Sequence, residues 1–204
     1  DYQTAESIYI KVAADSNALV RLRSEANYSL SSIYLYYNPK IDSAVKFAND
    51  AVAIDPSYYL AYIAKARVLN RQGNGQEAFN NIKKAIDLHK NSELAYEWLG
   101  IIYHDGGQYE AAINAFTYAV SLLEDDNTIF PADVGATKGR LHYYLALAYA
   151  APGTKEYPNT MYNRQNAIDA LKFTLQNFDL LTFGMLREAV SKGKTGPFAA
   201  LIGM

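Results

Sequence analysis

Lys192-Gly193-Lys194-Thr195 carries the closing letters of a phosphate-binding loop, in which backbone N–H groups and a lysine cradle a nucleotide. That chemistry also needs a glycine five residues before the Gly-Lys pair and a strand leading into it. Glu188 stands at the glycine position and no strand pattern precedes it, so the stretch reads as a flexible basic turn. Glu124-Asp125-Asp126-Asn127 offers oxygens, but without the alternating ligands, central glycine and terminal glutamate of a calcium loop. It reads as solvated. His89, His104 and His142 lie far apart, and no carboxylate or thiol recurs beside them at ligand spacing, so they read as surface or groove residues. Serines are plentiful, yet none sits on a strained turn with a histidine in support. The chain contains no cysteine, which excludes disulfides, zinc–thiolate sites and thiol catalysis. The expectation is a protein that is not an enzyme and has no cofactor and no metal.

Recognition is the chemistry that the residue types favour. Trp98 is the single tryptophan, and Arg67 and Arg71 stand at i and i+4 on one helix face. Tryptophan, tyrosine and arginine dominate protein interfaces, because large rigid rings supply contact area at small entropic cost. Nucleic acid is not an expected partner, since a formal charge of -2 provides no concentrated basic face. Membrane insertion is not expected either, because no run approaches the roughly 18 apolar residues of a spanning helix. Composition leaves the compartment open.

The elements that must position these residues appear when the sequence is slid against itself. Tyr28, Tyr62 and Tyr96 recur every 34 residues, as do Leu35, Leu69 and Tyr103. Ser32, Ala66 and Gly100 keep that interval, and so do Ala44, Ala78 and Ala112, and Ala51, Ala85 and Ala119. A 34-residue period marks a helix–turn–helix unit that stacks on its neighbours. In the third copy Tyr96, Leu99, Gly100 and Tyr103 form an i, i+3, i+4, i+7 stripe. Asp105-Gly106-Gly107 then ends the helix, and a second stripe runs through Tyr109, Ala112, Ile113, Phe116 and Ala119. Asp55-Pro56 closes one copy and starts the next. Gly100 and Ala112 allow close helix approach, while Tyr96 and Phe116 fill space between pairs.

On these residues the chain resembles the tetratricopeptide repeat family. The clean copies are 25–58, 59–92 and 93–126, with Tyr96 in the usual tryptophan place. Departures occur at Lys65 and Gly75 in the second copy, and at Leu35, Ser31 and Ala48 in the first, the last two being undersized. A degenerate copy with insertions spans 139–180, carried by Leu145, Ala146, Tyr149, Ala167 and Leu171. Residues 1–17 read as the second helix of a partial repeat, through Ala5, Tyr9 and Val12. Residues 181–204 read as a capping helix, Thr182 to Ser191, and an apolar tail, Pro197 to Ile202. The resemblance implies an all-α fold: a right-handed α-α superhelix of stacked antiparallel helix pairs, one solenoid domain of about nine to eleven helices.

The resemblance also implies that the first helix of each copy lines a concave groove for a protein or peptide partner. Carried over, the first copy offers Ser29, Leu30, Ile33, Tyr36 and Tyr37. From the second come Ile63, Ala64, Arg67, Asn70 and Arg71, and from the third Leu94, Glu97, Trp98, Ile101, His104 and Asp105. The degenerate copy adds Arg140, Tyr143, Tyr144 and Leu147. The family's carboxylate clamp is absent, because its places read Ser29, Ile33, Ala64, Leu94 and Trp98. In one arrangement Tyr37, Trp98, Tyr143 and Tyr144 hold apolar side chains of a partner while Arg67 and Arg71 hold an acidic group. In another, Arg67 pairs with Glu97 and Trp98 packs on the segment inserted before the degenerate copy. At the level of function the expectation is an adaptor. The alternatives are a self-associating scaffold, hence a possible homo-oligomer, or an accessory segment of a larger enzyme or sensor. The start at Asp1, inside a repeat, suggests a processed chain or a fragment.

Overall fold

A computed structural model describes residues 2–125, 131–151, 161–177, 185, 187–189, 191 and 192. Among the described residues the chain forms nine helices and no strand. They are α1 (Tyr2–Ala14), α2 (Val20–Tyr36), α3 (Ile41–Ile54), α4 (Tyr59–Arg71), α5 (Gly75–Leu88), α6 (Glu93–Asp105), α7 (Tyr109–Asp125), α8 (Pro131–Ala150) and α9 (Met161–Gln176). The chain divides into two compact units, Asp1–Trp98 and Leu99–Met204, with the boundary inside α6.

In the first unit α2 packs on α3 and α4 on α5, and α1 rests on α2. The repeating small residues make this close packing possible: Ala44, Ala51, Ala66, Ala78 and Ala85 are fully buried. Ser31, undersized by the family pattern, is buried and donates its Oγ–H to Ala44 O at 3.0 Å. Ser24 does the same to Ala51 O at 2.9 Å. Two hydroxyls thus stitch α2 to the backbone of α3 where larger side chains would hold the helices apart. Tyr34 stacks on Phe47 (centroids 5.4 Å apart) and donates its O–H to Glu6, which anchors α1. That anchor matters because α1 has no buried residue of its own.

Glycine closes two of the first helices. Gly73 (φ +80) follows α4 and Gly107 (φ +73) follows α6, both in the left-handed region that side chains disfavour. The residue after each returns a hydrogen bond to the helix: Asn74 N–H to Leu69 O at 2.9 Å and Gln108 N–H to Tyr103 O at 2.8 Å. Each bond satisfies a carbonyl that the helix end leaves unpaired.

The Asp55-Pro56 junction is a polar knot. Asp55 accepts hydrogen bonds from Ser57 N–H (3.0 Å), Ser57 Oγ–H (2.6 Å) and Arg21 Nε–H (2.7 Å). The Arg21 guanidinium also lies 4.5 Å from the Tyr58 ring centroid. The Ser57 hydroxyl above all holds the Asp55 carboxyl below its ordinary value; burial opposes it, and the Arg21 hydrogen bond, weaker than that push by itself, adds to the lowering. A lowered pKa stabilises the fold while the group is ionised, and that stability is lost as pH falls through the folded value. Acidification from pH 6 towards pH 3 is therefore expected to lower the melting temperature, and Asp55→Asn should flatten that acid limb. Melting curves across this range check it, and an unchanged limb in Asp55→Asn would show that the knot contributes nothing.

In the second unit Phe116 of α7 is fully buried and stacks on Tyr144 of α8 (5.4 Å). Helix α8 runs for 20 residues, against 13 for α4 and α6, because it begins at Pro131. Proline suits a first helical position, having no N–H to satisfy there. His142 sits over Phe173 of α9 at 3.9 Å, with Nδ1 2.8 Å from Lys138 O. Met185, Arg187, Glu188, Ala189 and Ser191 are helical, within the span expected to cap the last pair. Asp126, Asn127, residues 152–160 of the insertion, Lys194, Thr195 and the apolar tail lie outside the described residues.

Candidate functional site

The first helices of three successive copies, α2, α4 and α6, meet at Arg67. Its guanidinium carbon lies 4.8 Å from the Tyr36 ring centroid and 5.3 Å from that of Trp98. Arg67 Nε–H donates to Tyr36 Oη at 3.2 Å, and Nη1–H donates to Ser32 Oγ at 3.3 Å. Tyr36 precedes Arg67 by 31 residues and Trp98 follows it by 31. A 34-residue period minus three brings side chains together one turn out of step, so the three form a diagonal rung across the copies. All three belong to the first unit.

Each part of the rung has a physical role. The electron-rich ring faces attract the cation and fix its plane. Arginine carries five N–H donors, so the bonds to Tyr36 and Ser32 leave others available at the rim. One turn further along α4, Arg71 is exposed and makes no hydrogen bond or ion pair among the described residues. Tyr36 is 48% exposed and Tyr37 65%, the latter stacked on Tyr2 with centroids 6.1 Å apart. The result is an aromatic surface with two guanidinium groups one turn apart, suited to apolar side chains and a carboxylate.

The other groove candidates are placed differently. Asn70 and Leu94 are half-buried. Ile33, Ile63 and Glu97 are buried in the first unit, Ile63 completely, so Ile63 has no surface to offer a ligand. In the second unit Ile101 and Tyr143 are buried, while His104, Tyr144 and Leu147 are half-buried. His104 packs edge-on against Tyr109 at 5.4 Å, with Nδ1 3.5 Å from Asp105. Tyr144 spends its ring on Phe116. Tyr143 donates to Met185 O at 3.5 Å, and burial, with Glu188 nearby, pushes its hydroxyl up to about 12. Ser32 was missed as a contact because its column reads only as a small packing position. The equal spacing of Tyr36 and Trp98 about Arg67 is the signal that reveals the rung.

Among the described residues no group of three His, Asp or Glu could hold a metal ion. No helix among them is long and apolar enough to cross a membrane.

No family model matches the chain. A TPR repeat-containing protein of Methanocaldococcus jannaschii is 31% identical over 134 residues, which cover 64% of this chain and 22% of the relative. Tetratricopeptide repeat protein 29 of Macaca fascicularis is 26% identical over 162 residues, covering 73% of this chain and 33% of the relative. The chain thus spans between 22% and 33% of the length of these curated relatives. Among solved structures, MamA superposes with a TM-score of 0.56 at 22% identity, over 87% of this chain and 88% of its own. BtubC from P. vanneervenii gives 0.57 at 14% identity, over 94% and 75%. YrrB, described as a TPR protein with an unusual peptide-binding site, gives 0.53 at 19%, over 85% and 81%. These structural likenesses speak for the fold alone. With the 34-residue register, the helix pairs it produces and curated relatives that carry the same repeat, the chain is a tetratricopeptide-repeat protein of the all-α solenoid class.

Proposed function

We propose that the chain is a protein-interaction module that binds a partner peptide or helix, on a surface centred on Tyr36, Arg67 and Trp98. The observation that carries this reading is the guanidinium held between two rings from neighbouring copies. A cation fixed in this way has already lost much of its side-chain freedom, so a ligand carboxylate meets a preorganised partner. Arg71 supplies a second positive charge one turn on, and the ring edges of Tyr36 and Trp98 take apolar side chains. The other first-unit candidates, Ile33, Tyr37, Ile63, Asn70, Leu94 and Glu97, act by shaping and supporting that surface. The proposed activity is binding, not catalysis. YrrB offers a precedent, since its own description includes a peptide-binding site.

Selection of peptides from a random library on the immobilised chain tests the reading. Enriched peptides are expected to carry an acidic residue beside aromatic or branched apolar ones. Trp98→Ala should weaken them by about 30-fold, corresponding to a hot spot of about 2 kcal/mol. Arg67→Ala should do so most for the acidic peptides. If both variants are folded by circular dichroism and bind as the original does, the site lies elsewhere.

A second reading, self-association, draws on exposed apolar residues in the first unit: Ile8 at 54%, Leu19 at 71% and Val20 at 55%. Exposed apolar surface of this kind is a common cause of association. Light scattering that shows rising mass with concentration, without any ligand, would place the scaffold reading first. The accessory-segment reading draws on the greater length of the curated relatives.

A further inference from the structure

The turn that joins α4 to α5 is built twice in this chain from different side chains. The second copy places Asn74 and Gly75 there, the one Asn-Gly step in the sequence, and the third copy places Gln108 and Tyr109. The backbone is the same in both. Gly73 (φ +80) and Gly107 (φ +73) precede the two pairs. Asn74 N–H bonds to Leu69 O at 2.9 Å, and Gln108 N–H bonds to Tyr103 O at 2.8 Å. Asn74 O and Gln108 O each accept from an alanine N–H at 3.0 Å, that of Ala78 or of Ala112. The turn therefore requires neither asparagine nor a second glycine, and what sets the second copy apart is chemical. Asn74 is exposed, and its side-chain amide makes no hydrogen bond among the described residues, so it does not cap α5. Gly75 opens α5, and its N–H, one of the donors that a helix start leaves unpaired, has no acceptor among the described residues. A β-carbon at Gly75 would meet nothing within 4 Å, so no neighbouring group screens that nitrogen.

We propose that Asn74 is a site of self-modification, at which the chain converts its own side-chain amide to a carboxylate. Gly75 N gives up its proton and bonds to Asn74 Cγ. The Cγ–Nδ2 bond breaks, and Nδ2 leaves with that proton as ammonia, which closes a five-membered imide. Water then opens the ring. Cleavage of the new Cγ–N bond leaves aspartate in an unaltered backbone. Cleavage of the original C–N bond leaves isoaspartate, in which the chain runs on through Cγ. Ring closure requires Asn74 to rotate from ψ 58 until its Cβ eclipses Gly75 N. The hydrogen bond which that rotation breaks is the one from Ala78 N–H to Asn74 O, in the first turn of α5, where helices open most readily. The third copy lacks this chemistry, because Gln108 is one methylene longer and Tyr109 sets a side chain beside its nitrogen. Both products place a negative charge at the start of α5, where the helix dipole favours it. Isoaspartate also lengthens the backbone by one methylene in the copy whose α4 carries Arg67 and Arg71. The reaction needs no partner and does not depend on the binding surface centred on Arg67.

Incubation of the full chain at pH 7 and pH 8 and 37 °C tests this, with pepsin digests prepared at low pH and mapped by tandem mass spectrometry. A gain of one dalton is expected at Asn74, as a mixture of aspartate and isoaspartate, and faster at pH 8 because the attacking nitrogen must lose its proton. Asn80 and Asn81 serve as controls in the same chain. They lie inside α5, with side chains bonded to Gln76 Nε2–H at 3.4 Å and to Glu77 O at 2.8 Å, and should stay unchanged while Asn74 converts. Gly75→Ala, which the open space beside Gly75 accommodates, should leave Asn74 unconverted over the same period. Conversion at Asn74 no faster than at Asn80 and Asn81 overturns the proposal. Aspartate without isoaspartate, or equal conversion in Gly75→Ala, overturns it too, since Gly75 N then takes no part. The comparison among the three asparagines uses the unaltered chain, so it stands whatever Gly75→Ala does to folding.

Discussion

Phe116→Ala is expected to destabilise the second unit by about 3–5 kcal/mol, the range found when a core phenylalanine is cut back to alanine. Phe116 is fully buried, and it is the largest side chain among those that are. One face of its ring is stacked on Tyr144 at 5.4 Å, and its edge lies against Gly100. Alanine would leave a void lined by Tyr144 and the backbone of α6, and neither side can collapse readily. The helix backbone is held by its own hydrogen bonds. Tyr144 has a ring too rigid to bend into the space. Urea denaturation followed by circular dichroism at 222 nm measures the loss, and a change below about 1 kcal/mol would mean that the site closes up after all. The cost should appear as an earlier transition for the second unit, with the hydrogen-bonded packing of α2 on α3 unaffected.

How far the sequence could be read depends on what kind of signal each feature leaves. The helix pairs were legible because Ala44, Ala78 and Ala112 must be small wherever two helices cross closely, and all three are fully buried. The glycine stop after α6 was legible too. The left-handed residue is Gly107, while Gly106 ends its turn with φ outside that region. Ser31 was read as a defect because periodicity counts volume, whereas its contribution is a hydroxyl bonded to the carbonyl of Ala44. The candidate surface was legible only in part. Its positions were carried over as helix-face positions, and a face says nothing about what the next helix covers. Ile63 therefore sits fully buried where an exposed lining residue was expected, while Arg67, four residues on, keeps an accessible edge. The space bounded by α1, α2 and α3 left no periodic trace, since it arises between helices and not along the face of one.

Gly100→Val is expected to cost the second unit about 3 kcal/mol, at the upper end of the range for overpacking a filled core. A β-carbon at Gly100 would stand 2.4 Å from Phe116 Cε1, 2.6 Å from Cδ1 and 2.7 Å from Cζ. Those distances lie far inside van der Waals contact, and the atoms belong to a buried ring that cannot swing clear. Helix propensity argues the other way, because valine is a slightly better helix former than glycine. That gain is a few tenths of a kcal/mol and is outweighed about tenfold by the clash. The two positions share one space, so their substitutions should not add. Gly100→Val with Phe116→Leu is expected to be more stable than Gly100→Val alone, because the smaller side chain releases the ring's place to the new methyl groups. A double-mutant cycle by urea denaturation reads this directly. Additive losses would show that the valine is accommodated by a shift of α6 against α7, and that close helix approach at the third repeat does not depend on the absence of a side chain at position 100.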